Sequence, residues 1–309
     1  MRFIKDIITM MRPYQWVKNL FVLPALVFSR HLLEARYVFK SLAAFGLFCV
    51  LSGSVYIFND LMDEEEDRHH PRKRLRPLPS GRISRRSAWA FFALFSVASL
   101  TAAFALNTGF GAVCAFYFAL NIAYSLRLKK VVILDVLVVS TGFVLRAAAG
   151  GVVIGVEVSD WLLLCTTLLA LFLVLAKRRH ERELVDERMS LSPAPSEANG
   201  EGAFRYRKSL DEYSVRFLDQ MINVTTASAL MGYILYTVSG DAVGKFGDTR
   251  LIFTTPFVIY GIFRYLYLVY LKKEGGSPSE SFLSDKPLLI NVVLWGLSVI
   301  LLIYINPKM

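Results

Sequence analysis

The sequence predicts an all-α, polytopic membrane protein with nine transmembrane helices in one integral-membrane domain spanning residues 1–309. Three observations carry this. First, 55% of the residues are hydrophobic, only 19% are charged and the mean hydropathy is +0.46, whereas a soluble domain carries about 25% charged residues. Second, apolar runs recur at the roughly 20 residues that a hydrocarbon core of about 30 Å requires. These runs are continuous and not alternating, which excludes a transmembrane β-barrel. Third, 27 of the 35 Lys and Arg residues fall in alternate connecting segments: 1–18, 60–86, 127–130, 177–216 and 272–286. That asymmetry places those segments on the cytoplasmic side.

Residues 2–12 alternate apolar and charged side chains at helical spacing and predict a helix lying along the membrane surface. Pro13 ends it, and Tyr14 and Trp16 follow at headgroup level. The first span is 16–33, with Pro24 tolerated inside it. The second, 38–58, delivers the densest charge in the chain at its end. The third and fourth, 86–106 and 109–126, are separated by the uncharged turn Asn107-Thr108-Gly109. The fifth, 131–154, has Asp135 near its start and Arg146 deep within. The sixth is 160–177. A polar, basic cytoplasmic loop, 178–216, comes next, and its part Ser190–Gly202, rich in Ser, Pro, Ala, Glu and Gly, is expected to be mobile. The last three spans are 217–239, 251–271 and 287–305. Nine crossings put the N-terminus in the cytoplasm and the C-terminus outside.

The formal net charge of +10 would suggest a nucleic-acid partner in a soluble chain. Here the cations sit in short loops, where they set orientation and meet anionic lipid or phosphate, so no nucleic acid is expected. Cys49, Cys114 and Cys165 lie in apolar runs, without disulfide or zinc spacing. No apolar run followed by a small-residue cleavage site marks a signal peptide. P-loop, nucleophile-elbow and zinc-protease patterns are absent, which removes an ATP-driven motor.

The candidate chemistry is concentrated in the loop 60–86. On a continuous helix Asp60, Asp63 and Asp67 fall within about 60° of one another, flanked by Asn59. Carboxylates at this spacing repel unless a cation neutralises them. Hard oxygen donors that leave positions for substrate phosphate suit Mg²⁺. Glu64, Glu65 and Glu66 point elsewhere and read as a solvated face. The run Arg68, Arg72, Lys73, Arg74, Arg76 can fold back onto phosphate oxygens or serve only as a topological anchor. His69 and His70 read as loop residues and not as metal ligands. Tyr124, Arg127, Lys129, Lys130 and Asp135 lie on the same side. Arg146 needs either an acid or a substrate phosphate as partner. Lys177, Arg178 and Arg179 begin a second basic cluster, continued by Arg205, Arg207 and Lys208.

Asn59-Asp60-x-x-Asp63-x-x-x-Asp67-Arg68, followed by Arg74-x-Arg76-Pro77-x-Pro79-x-Gly81, resembles the first aspartate motif of the UbiA superfamily of intramembrane prenyltransferases. The nine-span layout fits that family's bundle over nearly the full chain. In the family, two cytoplasmic aspartate-rich loops hold Mg²⁺ and a diphosphate substrate. Here the loop after the sixth span is basic instead. With Arg12-Pro13-x-Gln15-Trp16-x-Lys18-Asn19, Tyr124-Ser125-x-x-x-Lys129 and Gly142-Phe143-x-Leu145-Arg146, this is similar to one branch, the decaprenyl-phosphate phosphoribosyltransferases.

The resemblance implies Mg²⁺-dependent transfer of 5-phosphoribose from 5-phosphoribosyl 1-diphosphate to a polyprenyl phosphate, at the cytoplasmic face of the inner (plasma) membrane, for cell-envelope glycan precursors. Asn59, Asp60 and Asp63 would be catalytic and would hold the metal with Asp67. Lys18, Arg68, Lys73, Arg74, Tyr124, Lys129, Asp135, Arg146, Lys177, Arg178 and Arg179 would bind substrate. Lys73 and Arg74 would take the donor phosphates, and Tyr124 and Asp135 the ribose. Lys129, Lys177, Arg178 and Arg179 would divide the 5-phosphate and the lipid phosphate between them, in an order the sequence does not assign. Alternatives are prenyl transfer to an aromatic or quinone precursor, lipid-phosphate transport, and a non-catalytic scaffold. Lipid chain length and oligomeric state, a homo-oligomer included, stay open.

Overall fold

Long apolar stretches with few internal helix breakers fold into helices that satisfy their own backbone polar groups, as a bilayer requires. The computed structural model describes residues 2–69, 73–191, 208–272 and 276–304. Eight helices among them are long and apolar enough to cross a membrane: α3 (Ala35–Met62), α5 (Arg85–Leu106), α6 (Thr108–Leu126), α7 (Leu134–Ile154), α8 (Asp160–Leu191), α10 (Val215–Val238), α12 (Thr255–Tyr270, entered through the 3-10 turn Arg250–Thr254) and α14 (Lys286–Tyr304). Shorter helices are α1 (Arg2–Met11), α2 (Pro24–Phe28), α4 (Glu64–His69), α9 (Lys208–Asp211), α11 (Gly240–Phe246) and α13 (Pro278–Ser284). At the α5–α6 turn the Asn107 side chain accepts from the Phe110 N–H at 2.9 Å, so one residue ends the first helix and caps the second.

The expected first span, 16–33, has a different form. Pro13–Val22 is a 3-10 helix, and Pro24 opens the five-residue α2. The looser rise of a 3-10 helix, about 2.0 Å per residue, lets this segment cover about 27 Å with α2 included. It starts beside the Met62 end of α3, where Met11 is packed. It finishes at the other end, where the Tyr304 hydroxyl donates to the Val27 carbonyl and accepts from the Leu32 N–H. Side chains three apart share a face in this geometry. Asn19, Val22 and Ala25 are buried, while Lys18, Phe21 and Pro24 line a cavity. Gly150 of α7 makes the close approach possible, because a Cβ there would run into the Val22 carbonyl.

The helix expected over residues 2–12 forms as α1 and packs against the end of α3. It buries Ile7, Met10 and Met11 on Ile57 and Leu61 and leaves Phe3, Ile4 and Ile8 exposed. α8 continues well beyond the predicted 160–177. Lys177–Glu181, Arg179–Glu183 and Arg182–Asp186 ion pairs, each four residues apart, support the polar extension. The residues expected to open a basic loop therefore sit on a helix. Of Ser190–Gly202 only the end of α8 is among the described residues. His70, Arg72, Arg205 and Arg207, and the Lys208 side chain, are outside them.

An apolar cavity of ≈500 Å³ runs between the Pro13–Phe28 segment, α8, α10, α12 and α14. Lys18, Ser279 and Phe282 line it toward the α1 end, and Glu157, Asp241 and Lys245 toward the other.

Gly150→Val is expected to destabilise the protein by about 1–3 kcal/mol through overpacking, read as a lower midpoint of thermal unfolding in detergent. An unchanged midpoint would contradict the close contact of α7 with Val22.

Candidate active site

The acidic motif does not form one uninterrupted helical face. α3 stops at Asp63 (φ −101°, ψ 8°) and α4 starts at Glu64. The Asp63 carbonyl still accepts from the Asp67 N–H at 2.8 Å, so the break is a kink and not a loop. It divides the carboxylates. Asp60 and Asp67, each 2% exposed, converge on Arg76, whose Nη1 lies 3.3 Å from Asp60 Oδ1 and 2.5 Å from Asp67 Oδ2. Arg12 pairs with Asp60 and Lys73 Nζ is 3.4 Å from Asp67. Asp63 turns the other way and pairs with Lys129. Asn59 accepts a hydrogen bond from the Ser125 hydroxyl.

Glu64, expected on a solvated face, is buried, with Arg68 at 2.6 Å; Glu65 and Glu66 are exposed as expected. The kink turns Glu64 inward, where Arg85 lies 3.9 Å from its second oxygen. Arg74 is exposed, and Arg68 is directed at Glu64 and largely exposed.

A second cluster forms where α6, α7 and α8 meet. Asp135 is fully buried. It accepts from Arg178 Nε at 2.8 Å and the Tyr213 hydroxyl at 2.8 Å, with Ser209 Oγ at 3.5 Å. Arg178 also reaches Glu181 at 2.5 Å and the Tyr124 hydroxyl at 3.1 Å. Burial first, then donation to Asp135, pushes the Tyr213 hydroxyl up to about 12, so it stays a donor. The same hydroxyl accepts from the Ile133 N–H at 2.7 Å. Ile133 has φ +68°, a strained conformation for a β-branched residue. Ser209 Oγ donates to the Lys129 carbonyl at 2.9 Å. Two residues from around α9 thus fasten the 128–133 turn that presents Lys129 to Asp63.

Arg179, one residue on, faces away from this cluster. It meets Asp219 at 2.7 Å and Glu183 at 2.9 Å and lies 4.2 Å over the Tyr270 ring. Lys177 is at 3.7 Å from Glu181.

Arg146 occupies a third position, deeper in the bundle and buried. Its Nε donates to Asn19 Oδ1 (2.7 Å), Nη1 to the Gly142 carbonyl (2.7 Å) and Nη2 to the Tyr117 hydroxyl (2.8 Å). The Tyr117 ring centroid is 4.7 Å away and that of Phe143 5.6 Å. Asn19 Nδ2 in turn donates to Ser52 at 3.1 Å.

The structure therefore gathers Asn59, Asp60, Asp63, Asp67, Lys73 and Lys129 at one end of the bundle. Tyr124, Asp135 and Arg178 form a neighbouring knot, and Lys18 and Arg146 lie deeper. Arg12, Ser125, Ser209 and Tyr213 are structural partners that were not among the predicted site residues, and Arg76, read from the sequence only as part of the basic run, is the residue on which Asp60 and Asp67 converge. Arg12 carried a signal: an Arg-Pro step closing a surface helix, where the residue adopts φ +54°. Among the described residues no three His, Cys, Asp or Glu side chains converge as a ready-made metal site. The donors present fit a Mg²⁺ carried by substrate phosphate, which uses one or two carboxylates and leaves the other positions to phosphate and water.

Comparison with known proteins agrees with this architecture. A profile of the UbiA prenyltransferase family matches residues 21–285. Two proteins called decaprenyl-phosphate phosphoribosyltransferase are similar over nearly the whole chain. That of Corynebacterium glutamicum is 33% identical, covering 96% of this chain and 86% of the relative. That of Mycolicibacterium smegmatis is 32% identical, covering 94% and 90%. A solved structure of a UbiA homolog from Archaeoglobus fulgidus bound to GPP and Mg²⁺ superimposes with a TM-score of 0.67 at 20% identity, covering 96% of this chain and 99% of that one.

Arg178→Met leaves Asp135 buried without its cation. The expected cost is about 3–5 kcal/mol, measured as loss of unfolding midpoint in detergent, with part of it regained in the Asp135→Asn/Arg178→Met double variant. Losses that simply add would show that the two do not stabilise the fold as a pair.

Proposed function

The chain belongs to the UbiA prenyltransferase family, and we propose that within it this protein transfers 5-phosphoribose from 5-phosphoribosyl 1-diphosphate to a polyprenyl phosphate. The observation that carries this reading is the surplus of cations at the head of an apolar cavity. Arg12, Lys73, Arg76 and Lys129 meet the acids Asp60, Asp63 and Asp67, and Lys18, which lines the cavity, and Arg146 lie deeper. Two phosphorylated substrates bring more negative charge than one prenyl diphosphate and a neutral acceptor, and neutralising it calls for more Arg and Lys. The names of the relatives similar over 94–96% of the chain point the same way.

Asn59 and one or two of Asp60, Asp63 and Asp67 would hold a Mg²⁺ brought by the diphosphate, and it would supply positive charge there. The protein's own cations do the rest. In this reading Arg76 and Lys73, now balanced by Asp67, turn toward donor phosphates, as does Lys129, now balanced by Asp63. The C1–oxygen bond to diphosphate breaks with its electron pair leaving on the diphosphate, and the ribose gains oxocarbenium character. A lipid phosphate oxygen forms the new bond from the opposite face. That oxygen is already anionic at neutral pH, so no general base is needed. Asp135 and Arg178, locked to one another, act by holding the Lys129 turn and the Tyr124 hydroxyl in place. With the Pro13–Phe28 segment counted as a further crossing beside the eight long apolar helices, the distribution of Lys and Arg supports a site on the cytoplasmic face of the plasma membrane.

Radiolabelled phosphoribosyl diphosphate with polyprenyl phosphate is expected to give labelled lipid of the mass of polyprenylphosphoryl-5-phosphoribose. Prenyl diphosphate with 4-hydroxybenzoate is expected to give no prenylated product, and product only in that second assay would overturn the reading. Asp60→Ala and Asp63→Ala are each expected to lower phosphoribosyl transfer by about a hundredfold or more while eluting as folded protein in detergent. Full activity in both would remove the aspartates from the mechanism.

A further inference from the structure

The cations around the site are not alike. Arg12 and Arg76 meet Asp60, Lys73 and Arg76 meet Asp67, and Lys129 meets Asp63. Two others meet no acid among the described residues. Arg146 spends three N–H groups on neutral acceptors, which leaves two of the five guanidinium N–H groups over. Lys18 makes no hydrogen bond or ion pair with a described residue, and its charged neighbours are Arg146 and Arg12. Lys18 is adjacent in sequence to Asn19, which accepts from Arg146. It lines the cavity together with Phe143, the residue whose ring faces the Arg146 guanidinium. Two cations this close, in a bundle interior and unopposed by carboxylate, repel one another. An anion set against both relieves that cost.

The two substrates of the reading above differ in what they bring. The sugar diphosphate is soluble and comes with a divalent cation, so its residues must include carboxylates. Asp60, Asp63 and Asp67 provide them. A polyprenyl phosphate comes from the lipid phase with a charge of about −1.5 to −2 near neutral pH and no need of a metal. It requires cations that no acid already occupies, at the mouth of an apolar cavity. Lys18, which lines the cavity, meets both conditions, and Arg146 meets the first.

We propose that Lys18, backed by Arg146, binds the phosphate of the acceptor lipid, and that the adjoining cavity takes the first isoprene units. This deepens the phosphoribosyl-transfer reading and rests on it. Arg12, which pairs with Asp60 and neighbours Lys18, then stands between the acceptor and donor subsites. Lys18 and Lys129 have separate tasks, one for each substrate.

The test uses the full chain in detergent with undecaprenyl phosphate as acceptor probe. Lys18→Met is expected to raise the KM for undecaprenyl phosphate at least about tenfold, as loss of a charged hydrogen bond implies, with the KM for phosphoribosyl diphosphate nearly unchanged. Lys129→Met is expected to do the reverse. A Lys18 variant that raises only the donor KM, or neither, overturns the assignment. Native mass spectrometry of undecaprenyl phosphate against undecaprenol keeps the test independent of turnover. The wild type is expected to prefer the phosphate, and Lys18→Met and Lys18→Gln, whichever is recovered folded, to lose that preference. A retained preference overturns the subsite. A wild type that binds the phosphate but transfers no phosphoribose overturns the reading of the reaction and leaves the subsite standing.

Discussion

Ionised side chains taken out of water persist only where another charge or a full set of hydrogen bonds meets them. At the α1 end of this bundle that constraint organises most contacts. Asp60, Asp67 and Asp135 are almost fully buried, and each is met by a guanidinium: Arg12 and Arg76, Arg76, and Arg178. Where no acid meets a buried cation, at Arg146, neutral oxygens and aromatic rings do so. Such compensation keeps the fold intact while holding ionised groups inside the bundle.

The two halves of the chain depend on one another for this geometry. Lys129 reaches Asp63 only because the 128–133 turn is held, and the groups that hold it, Ser209 and Tyr213, arrive about eighty residues later. A strained Ile133 sits at the centre of that junction. Strain of this kind costs of order 1–3 kcal/mol and persists when neighbouring contacts over-determine it. Here the Tyr213 hydroxyl bridges the Ile133 N–H and the Asp135 carboxylate, so one side chain secures both the turn and the start of α7.

The Pro13–Phe28 segment does comparable work for the deeper site. With three residues per turn, it turns Asn19 and Val22 to α7 and Lys18 and Phe21 to the cavity. An α-helix of the same sequence would rotate these side chains out of that division. Such use of a less common helix, permitted by Gly150, brings a polar face and an apolar face to the same short stretch. Polar contacts and the apolar cavity thereby meet within one turn.

Much of this architecture was legible from residue order. Long apolar runs, the surface helix before Pro13 and the turn at Asn107 follow from hydropathy and capping, which are local. The acidic motif and its basic tail were legible as one charged cluster for the same reason, since dense charge at the end of a span is a local pattern. What the tertiary structure alone decided is which charge meets which. Arg12 with Asp60, Lys129 with Asp63, Arg178 with Asp135 and Arg146 with Asn19 lie 43 to 127 residues apart. Hydropathy and periodicity carry no information at that range. The kink at Asp63, the burial of Glu64 and the 3-10 form of Pro13–Val22 were hidden too, because packing against Arg76, Arg68 and Gly150 sets them. The sequence by itself determined a helical membrane bundle with a charged end. The structure decided how that charge divides between acid-paired cations and Lys18 and Arg146, which meet no acid among the described residues, because only packing brings distant helices within reach of one another.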